Sequence, residues 1–189
     1  MRGLIRALKR DAERYLEVRG RYLDVGLLVG ATYRFGAWAD SLPAAFRLPA
    51  RVPYLVVKSF WRALLNVNIA SDAEIGPGLC LVHPRNILIP GTRIGDNFTI
   101  FHEVTIGTNG LPPRFPTIGS NVTVFVGARV LGELDVGDGA QIGANCVVTK
   151  DVEAGTLVMP APNRVARSAL VEAFLVDRGQ RSGTTNGAR

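Results

Sequence analysis

Residues 75–107 read IGPGLCLVHPRNILIPGTRIGDNFTIFHEVTIG, with an aliphatic residue at nearly every sixth position. The spacing continues through residues 69–148, interrupted by one slip of a residue and one gap of twelve. A helical period of 3.6 cannot keep a six-residue repeat on one face, whereas a short strand followed by a tight turn can. The pattern therefore predicts a parallel β-helix of roughly four to five coils, each with three sides and about 18 residues. Thirteen residues keep the phase: Ile69, Ile75, Leu81, Ile87, Ile94, Ile100, Ile106, Ile118, Val124, Val130, Val136, Ile142 and Val148.

The remaining segments suggest helices and one loop. Residues 108–117, TNGLPPRFPT, lack the repeat and predict a loop standing out from the prism. Helical spacing of apolar residues predicts helices over 1–22, 25–40 and 54–66, and three prolines predict a break over 41–53. We therefore divide the chain into a helical region (1–66), a β-helix (67–167), and a C-terminal helix with a flexible tail (168–189).

The basic charge is concentrated at the N-terminal end. Residues 1–66 hold 12 Lys and Arg against 5 Asp and Glu, a net +7, whereas the whole chain carries +6. Such a region is a solvated helical surface or a contact for an anionic inner membrane. No secretion signal and no membrane-spanning run is visible, so we expect a cytoplasmic protein, with peripheral membrane contact as an option and no nucleic-acid partner.

Histidine and cysteine are scarce. The chain has two of each: His83, His102, Cys80 and Cys146. One chain cannot supply a three-histidine or a four-cysteine metal site, and two cysteines do not make a disulfide framework. We predict no metal and expect both cysteines to be packed thiols.

The repeat register brings the two histidines together. His83 and His102 each lie two residues after a phased aliphatic residue, and they are separated by one coil plus the slip. They are therefore expected on one edge of the prism in adjacent coils, roughly 5 Å apart at strand spacing. Ser120, at the same offset, extends the predicted column. This placement makes the histidines candidates for general-base catalysis.

The motifs resemble the serine acetyltransferase branch of the hexapeptide-repeat acyltransferases. The resemblance rests on residues 75–107, on VGARVLGELDVGDGAQIGANCVVTKDV (126–152) and on PNRV (162–165). It implies a mainly β fold, a left-handed parallel β-helix of hexapeptide repeats with a short N-terminal α-helical region. It also implies a homotrimer with active sites between subunits, and acetyl-CoA as the donor.

The resemblance also assigns catalytic roles. His83 matches the family's catalytic histidine, the general base that takes the proton from the acceptor hydroxyl. Asn68 falls where the family has the aspartate that orients this histidine, so a charge is missing. His102 falls where many members have glutamine, and it either binds substrate or is the base itself. Backbone N–H groups near Gly107 are candidates for an oxyanion hole.

The acceptor side departs from the serine-specific pattern. Val82 replaces an acidic residue before the catalytic histidine, and Phe115 replaces a histidine after the retained Arg114. Glu103 is a charged candidate that would compensate. On the donor side, the resemblance implies seven CoA-binding positions: Gly107, Thr108, Val126, Ala144, Lys150, Arg164 and Arg167.

These observations predict an acetyl-CoA-dependent O-acetyltransferase of the serine acetyltransferase-like family. Because the serine-binding charges are missing, the sequence favours a sugar hydroxyl in polysaccharide biosynthesis as the acceptor. One alternative is serine O-acetylation in cysteine biosynthesis. The other is a non-catalytic trimeric β-helix module.

Overall fold

The computed structural model describes residues 2–21 and 24–162, which form a helical region followed by a parallel β-solenoid of about five turns. The helices are α1 (Arg2–Arg19), α2 (Val25–Asp40) and α3 (Ala44–Leu65). The strands are β1 (Val67–Ile69), β2 (Glu74–Ile75), β3 (Cys80–Val82), β4 (Ile87–Ile89), β5 (Arg93–Ile94), β6 (Thr99–Phe101), β7 (Thr105–Gly107), β8 (Thr117–Ile118), β9 (Thr123–Val124), β10 (Arg129–Leu131), β11 (Asp135–Val136), β12 (Gln141–Ile142), β13 (Val147–Val148) and β14 (Leu157–Val158).

Three parallel sheets form the sides of the prism. The first sheet has the order β1-β4-β7-β10-β13, the second β2-β5-β8-β11, and the third β3-β6-β9-β12-β14. All thirteen phased aliphatic residues are buried, none more than 7% exposed. The predicted parallel β-helix is confirmed.

The interior holds a second set of side chains that the six-residue repeat did not reveal. These lie two positions before the phased residues and are also buried. Successive side chains of a strand alternate between faces, so residues two apart point the same way. Most of this set is small or aliphatic: Val67, Ala73, Leu79, Phe98, Val104, Val122, Ala128, Leu134, Ala140 and Cys146.

Helix α3 contradicts the predicted break over residues 41–53. Pro43 stands at its N-cap, but Pro49 and Pro53 lie inside the helix. They are four residues apart and both exposed. The carbonyls that lose a proline N–H can therefore bond water, which lowers the cost of a proline inside a helix.

Buried polar contacts fix α1 and α2 to the solenoid. Asp11 is 1% and Arg34 6% exposed, and they form an ion pair with N···O distances of 2.9 and 3.0 Å. Asp11 also accepts from the backbone N–H groups of Gly78 and Leu79, each at 2.8 Å. Arg34 donates to the carbonyls of residues 75 and 76. The pair therefore joins two helices and a turn of the solenoid.

Two tyrosines add similar contacts. The Tyr15 hydroxyl accepts from Leu81 N–H at 2.8 Å and donates to the Leu81 carbonyl. The Tyr33 hydroxyl donates to the Ala73 carbonyl at 2.7 Å. Gly26 allows α2 to cross here, because a Cβ on it would lie 2.1 Å from the Leu81 oxygen. The helices therefore lie directly on the outer face of β3.

Candidate active site

The two histidines lie on neighbouring coils, as the repeat register predicted. Leu81 pairs with Ile100 and Val82 with Phe101 in the ladder between β3 and β6. His83 and His102 follow these strands directly, and their ring centroids are 6.3 Å apart in an edge-on arrangement. His83 has a positive φ of 52° and is exposed, so it projects from the turn after β3.

Ser120 does not continue this column, so that prediction is wrong. Ile118 pairs with Ile94 in the second sheet, and the Ser120 hydroxyl accepts from Asp96 N–H. The coil containing the loop is longer than the others, so counting 18 residues from His102 leads to another corner. The residue that follows His102 in the column is Val126, because Ile100 pairs with Val124.

A cavity of about 550 Å³ lies in front of the histidines. Its walls come from the end of α1, the start of α2, the end of α3 and the turns after β3 and β6. It combines three guanidinium groups, one carboxylate and two imidazoles with apolar side chains. The lining residues are Arg19, Arg21, Asp24, Val25, Leu65, His83, Pro84, Arg85 and His102.

An arginine at the end of α1 contacts the His83 ring. Arg19 Nη1 lies 3.4 Å from His83 Nε2. Because arginine only donates, Nε2 is the acceptor in this contact. The contact is long for a hydrogen bond, so an incoming hydroxyl can replace it. Asp24 Oδ2 lies 3.6 Å from Arg19 Nε and holds that guanidinium beside the imidazole.

Val82 is not accessible to a substrate in this chain. It is 2% exposed and packs with Tyr15 and Cys80 beneath the helical region. The same burial raises the pKa of the Cys80 thiol to about 12. Burial also raises the pKa of Cys146. Both cysteines are free and buried, as predicted.

Asn68 and Glu103 line a different groove, of about 570 Å³, on the outer face of the first sheet. Across the residues that the structure describes, no hydrogen bond joins Asn68 to His83. Glu103 has a φ of 61° and donates its backbone N–H to the Arg85 carbonyl at 2.8 Å. The groove therefore adjoins the histidine turn on its outer side.

The loop between β7 and β8 covers residues 108–116, one residue fewer than predicted. Arg114 forms an ion pair with Glu133, and both side chains are more than half exposed. Phe115 lines a separate hollow of about 340 Å³ with Asp72 and Arg93. Within one chain, neither loop residue lines the cavity of the histidines.

The expected donor-binding residues fall at two corners of the prism. Val126 and Ala144 extend the histidine column, because the ladder pairs Ile142 with Val124. Gly107 ends β7 at the next corner, and Thr108 begins the loop there. Exposed Lys150 stands at the same corner, two residues after Val148. Arg164 and Arg167 lie outside the described residues, as does the predicted C-terminal helix.

Comparisons with known proteins indicate the family. No family model matches the sequence. The chain is 37% identical over 171 residues to the serine acetyltransferase of Mycobacterium tuberculosis (strain H37Rv), covering 87% of this chain and 71% of that protein. The chain belongs to the serine acetyltransferase family. A left-handed parallel β-helix behind a helical region, the fold class expected from the sequence, is thereby confirmed.

Two further serine acetyltransferases show how much of a relative this chain covers and which ligand a relative binds. The serine acetyltransferase of Helicobacter pylori (strain J99) is 42% identical over 103 residues, 53% of this chain and 60% of that protein. The crystal structure of the Brucella abortus (strain S19) serine acetyltransferase in complex with coenzyme A superposes with a TM-score of 0.71. It is 27% identical and covers 84% of this chain and 65% of that one. The chain thus spans roughly two thirds of these relatives.

Sequence reasoning missed all four charged residues of the cavity: Arg19, Arg21, Asp24 and Arg85. Arg19 and Asp24 lie at helix ends some 60 residues before the histidines, and no repeat connects them to the prism. Arg85 lies two residues after His83, so its position in the same turn was the one available signal. These charged residues come together because the helices pack on β3, and the six-residue repeat contains no information on that packing.

Proposed function

We propose that the chain is a serine O-acetyltransferase that uses acetyl-CoA as donor. The observation that carries this proposal is the exposed His83, whose Nε2 faces a cavity that also holds carboxylate and guanidinium groups. The family relatives named for serine support the acceptor. The coenzyme A complex of the Brucella abortus relative supports the donor.

His83 acts as the general base in this proposal. Its Nε2 lone pair takes the proton of the acceptor hydroxyl as the oxygen forms a bond to the acetyl carbon. The thioester supplies the acetyl group, and its C–S bond breaks as the new ester forms. The proton then passes from Nε2 to the departing sulfur, which restores the neutral imidazole. His102, 6.3 Å away, positions the acceptor or exchanges roles with His83.

The charges around the cavity suit a zwitterionic acceptor. A free amino acid carries a carboxylate, which guanidinium groups bind well, and an ammonium group, which a carboxylate binds. Arg85 is exposed at the cavity. Asp24 is the one acidic residue of the lining, and its carboxylate also caps α2 and pairs with Arg19 and Arg21. These groups offer charges of the kind that are missing at Val82 and Phe115, which favours serine as the acceptor.

The donor is proposed to lie along the column that runs from the histidines through Val126 and Ala144. Phe125 stacks on Phe101 with ring centroids 5.2 Å apart, and this pair forms an apolar wall beside the column. Gly107, Thr108 and Lys150 stand at another corner of the same chain. A homotrimer, in which the loop corner of one chain meets the histidine corner of its neighbour, would combine the two sets. Arg164 and Arg167 stay predicted contacts for CoA phosphates.

A sugar hydroxyl is the second candidate acceptor. Asn68 and Phe115 favour it, because uncharged side chains stand where the family uses charges to bind serine and to support the base. The comparisons give it no support, and neither do they support a non-catalytic trimeric module. Two buried, free cysteines suit the reducing cytoplasm that we expect for this enzyme.

Release of CoA, measured with L-serine and with a panel of sugars, tests the proposal. We expect turnover with serine, and a loss of roughly 10²–10⁴-fold in kcat for His83→Ala. Ser120→Ala is the matched control, because the structure places it at another corner, and its rate should equal that of the wild type. If turnover is lost in His102→Ala but not in His83→Ala, His102 is the general base and His83 positions the acceptor.

Asp24→Asn tests the acceptor. Asparagine still caps α2, so the helix is preserved while the charge is removed. We expect a higher KM for serine with little change in the KM for acetyl-CoA. If the enzyme acetylates a sugar but not serine, the proposal of serine as the acceptor is wrong. If the rate is unchanged in both histidine variants, the proposal of a histidine general base is wrong.

A further inference from the structure

Helix α3 presents an apolar face to solvent. Leu48, Val52, Val56, Phe60 and Leu64 follow one another at intervals of four residues and are between 55% and 71% exposed. The helix has 22 residues and is about 33 Å long. We call these five residues the outward face. Single exposed apolar residues are ordinary on protein surfaces, but a continuous stripe along a helix marks an interaction surface.

The opposite side of α3 already has its partners. Tyr54 is 2% exposed, and Trp61 donates its indole N–H to Thr32 of α2 at 3.0 Å. Trp61 and Leu65 also pack against the core of the solenoid. The inner side of α3 therefore makes the contacts with α2 and the solenoid, and the outward face takes no part in them.

The charge of α3 has one sign. Its four ionic residues, Arg47, Arg51, Lys58 and Arg62, are all cations. Spacings of four, seven and four residues place them within a sector of about 60°, along one edge of the apolar face. Arg51 is paired with Asp40 of α2, whereas Arg47 and Arg62 are exposed. Long cationic side chains at such an edge can reach phosphate groups while their stems lie on apolar surface.

We propose that α3 docks on an anionic lipid bilayer, with the outward face at the boundary between headgroups and acyl chains. A basic helix with an apolar face lies in the membrane interface and binds through buried apolar area and anionic lipid together. None of the helices that the structure describes is long and apolar enough to cross a bilayer. Helix α3 would therefore lie on the membrane. Charge favours lipid over a second copy, because α3 has no acidic residue to complement the cations of another α3.

Co-sedimentation of the full chain with vesicles tests this proposal. We expect binding to phosphatidylcholine vesicles that contain roughly one third phosphatidylglycerol, little binding to pure phosphatidylcholine, and weaker binding at high salt. Val56→Asp should lower the partition coefficient at least about tenfold, because it places a charge in the apolar face. Arg47→Gln should lower it about fivefold.

Lys9→Gln is the matched control for Val56→Asp. It changes the net charge by the same amount at an exposed residue of α1, away from the outward face, and its binding should stay within about twofold of the wild type. Light scattering without vesicles should show the same mass for Val56→Asp as for the wild type. A lower mass would assign the face to contacts between copies and overturn the proposal. Absence of binding to anionic vesicles at low salt would overturn it as well.

Discussion

The β-helix repeats one kind of contact in every coil, whereas the three N-terminal helices are fixed to it by a few contacts that each occur once. Each phased aliphatic side chain stacks on another aliphatic side chain one coil away, as Ile100 does on Leu81. Asp11, Tyr15, Tyr33 and Arg34 instead make specific buried hydrogen bonds to backbone groups 40 or more residues away. Loss of one coil contact therefore weakens a shared stack, whereas loss of one anchor releases a whole layer.

Removal of the buried carboxylate should have the largest effect on stability. Asp11→Ala leaves Arg34 buried without its partner and the N–H groups of Gly78 and Leu79 without their acceptor. Breaking a buried pair from one side costs about 3–5 kcal/mol. Chemical denaturation measures this loss, and amide exchange should accelerate in α1 and α2 before it does in the solenoid.

Glu17→Ala is the control for Asp11→Ala, because Glu17 lies on the same helix and forms exposed ion pairs with Arg10 and Arg14. We expect it to leave the free energy of unfolding nearly unchanged, because solvent screens these exposed pairs. Equal effects of the two variants would show that the buried pair does not fix the helices. Acceleration of exchange throughout the chain would show that the two regions unfold together.

Truncation of a stacked aliphatic residue tests whether neighbouring coils of the β-helix share the stacking contacts. Ile106 is fully buried in the first sheet, and Ile106→Ala should cost about 2–5 kcal/mol through lost burial and the cavity left behind. Neighbouring coils share the stack, so amide exchange should rise in the strands on both sides of β7. Thr117→Ala, at an exposed position of the same solenoid, should stay within about 0.5 kcal/mol. A change confined to β7 itself would contradict a shared stack.

The same difference determines how much could be predicted from the sequence. The β-helix depends on a local period, so the thirteen phased residues of its interior could be identified in the sequence, and the histidine pair followed from the register of the repeat. Register failed at Ser120, because the loop lengthens one coil by an amount that the repeat does not show. The helical region depends on long-range contacts, so neither the Asp11–Arg34 pair nor the continuous α3 could be predicted.

The site divides along the same boundary. His83 and His102 belong to the repeat and were found in the sequence. Arg19 and Asp24 reach the cavity only because α1 and α2 pack on β3, and helix packing of this kind has no sequence period. Burial of Val82 has the same origin, since its side chain is outward in the repeat and becomes covered by the helices.

The pH dependence of stability gives the smallest expected effect and reports on the contact between the two regions. Cys80 lies beneath α1, and burial raises the pKa of its thiol from 9.0 to about 12. Above pH 9 the unfolded chain loses this proton while the folded chain keeps it, so the stability that this thiol contributes falls as pH rises and levels off near pH 12. At pH 10 the loss is on the order of 1 kcal/mol. Urea denaturation at pH 8 and at pH 10 measures this loss of unfolding free energy. In Cys80→Ala, the difference in unfolding free energy between the two pH values should be smaller by that amount. If this difference is the same in Cys80→Ala as in the wild type, the thiol is already open to solvent. The helices would then not cover β3 in solution.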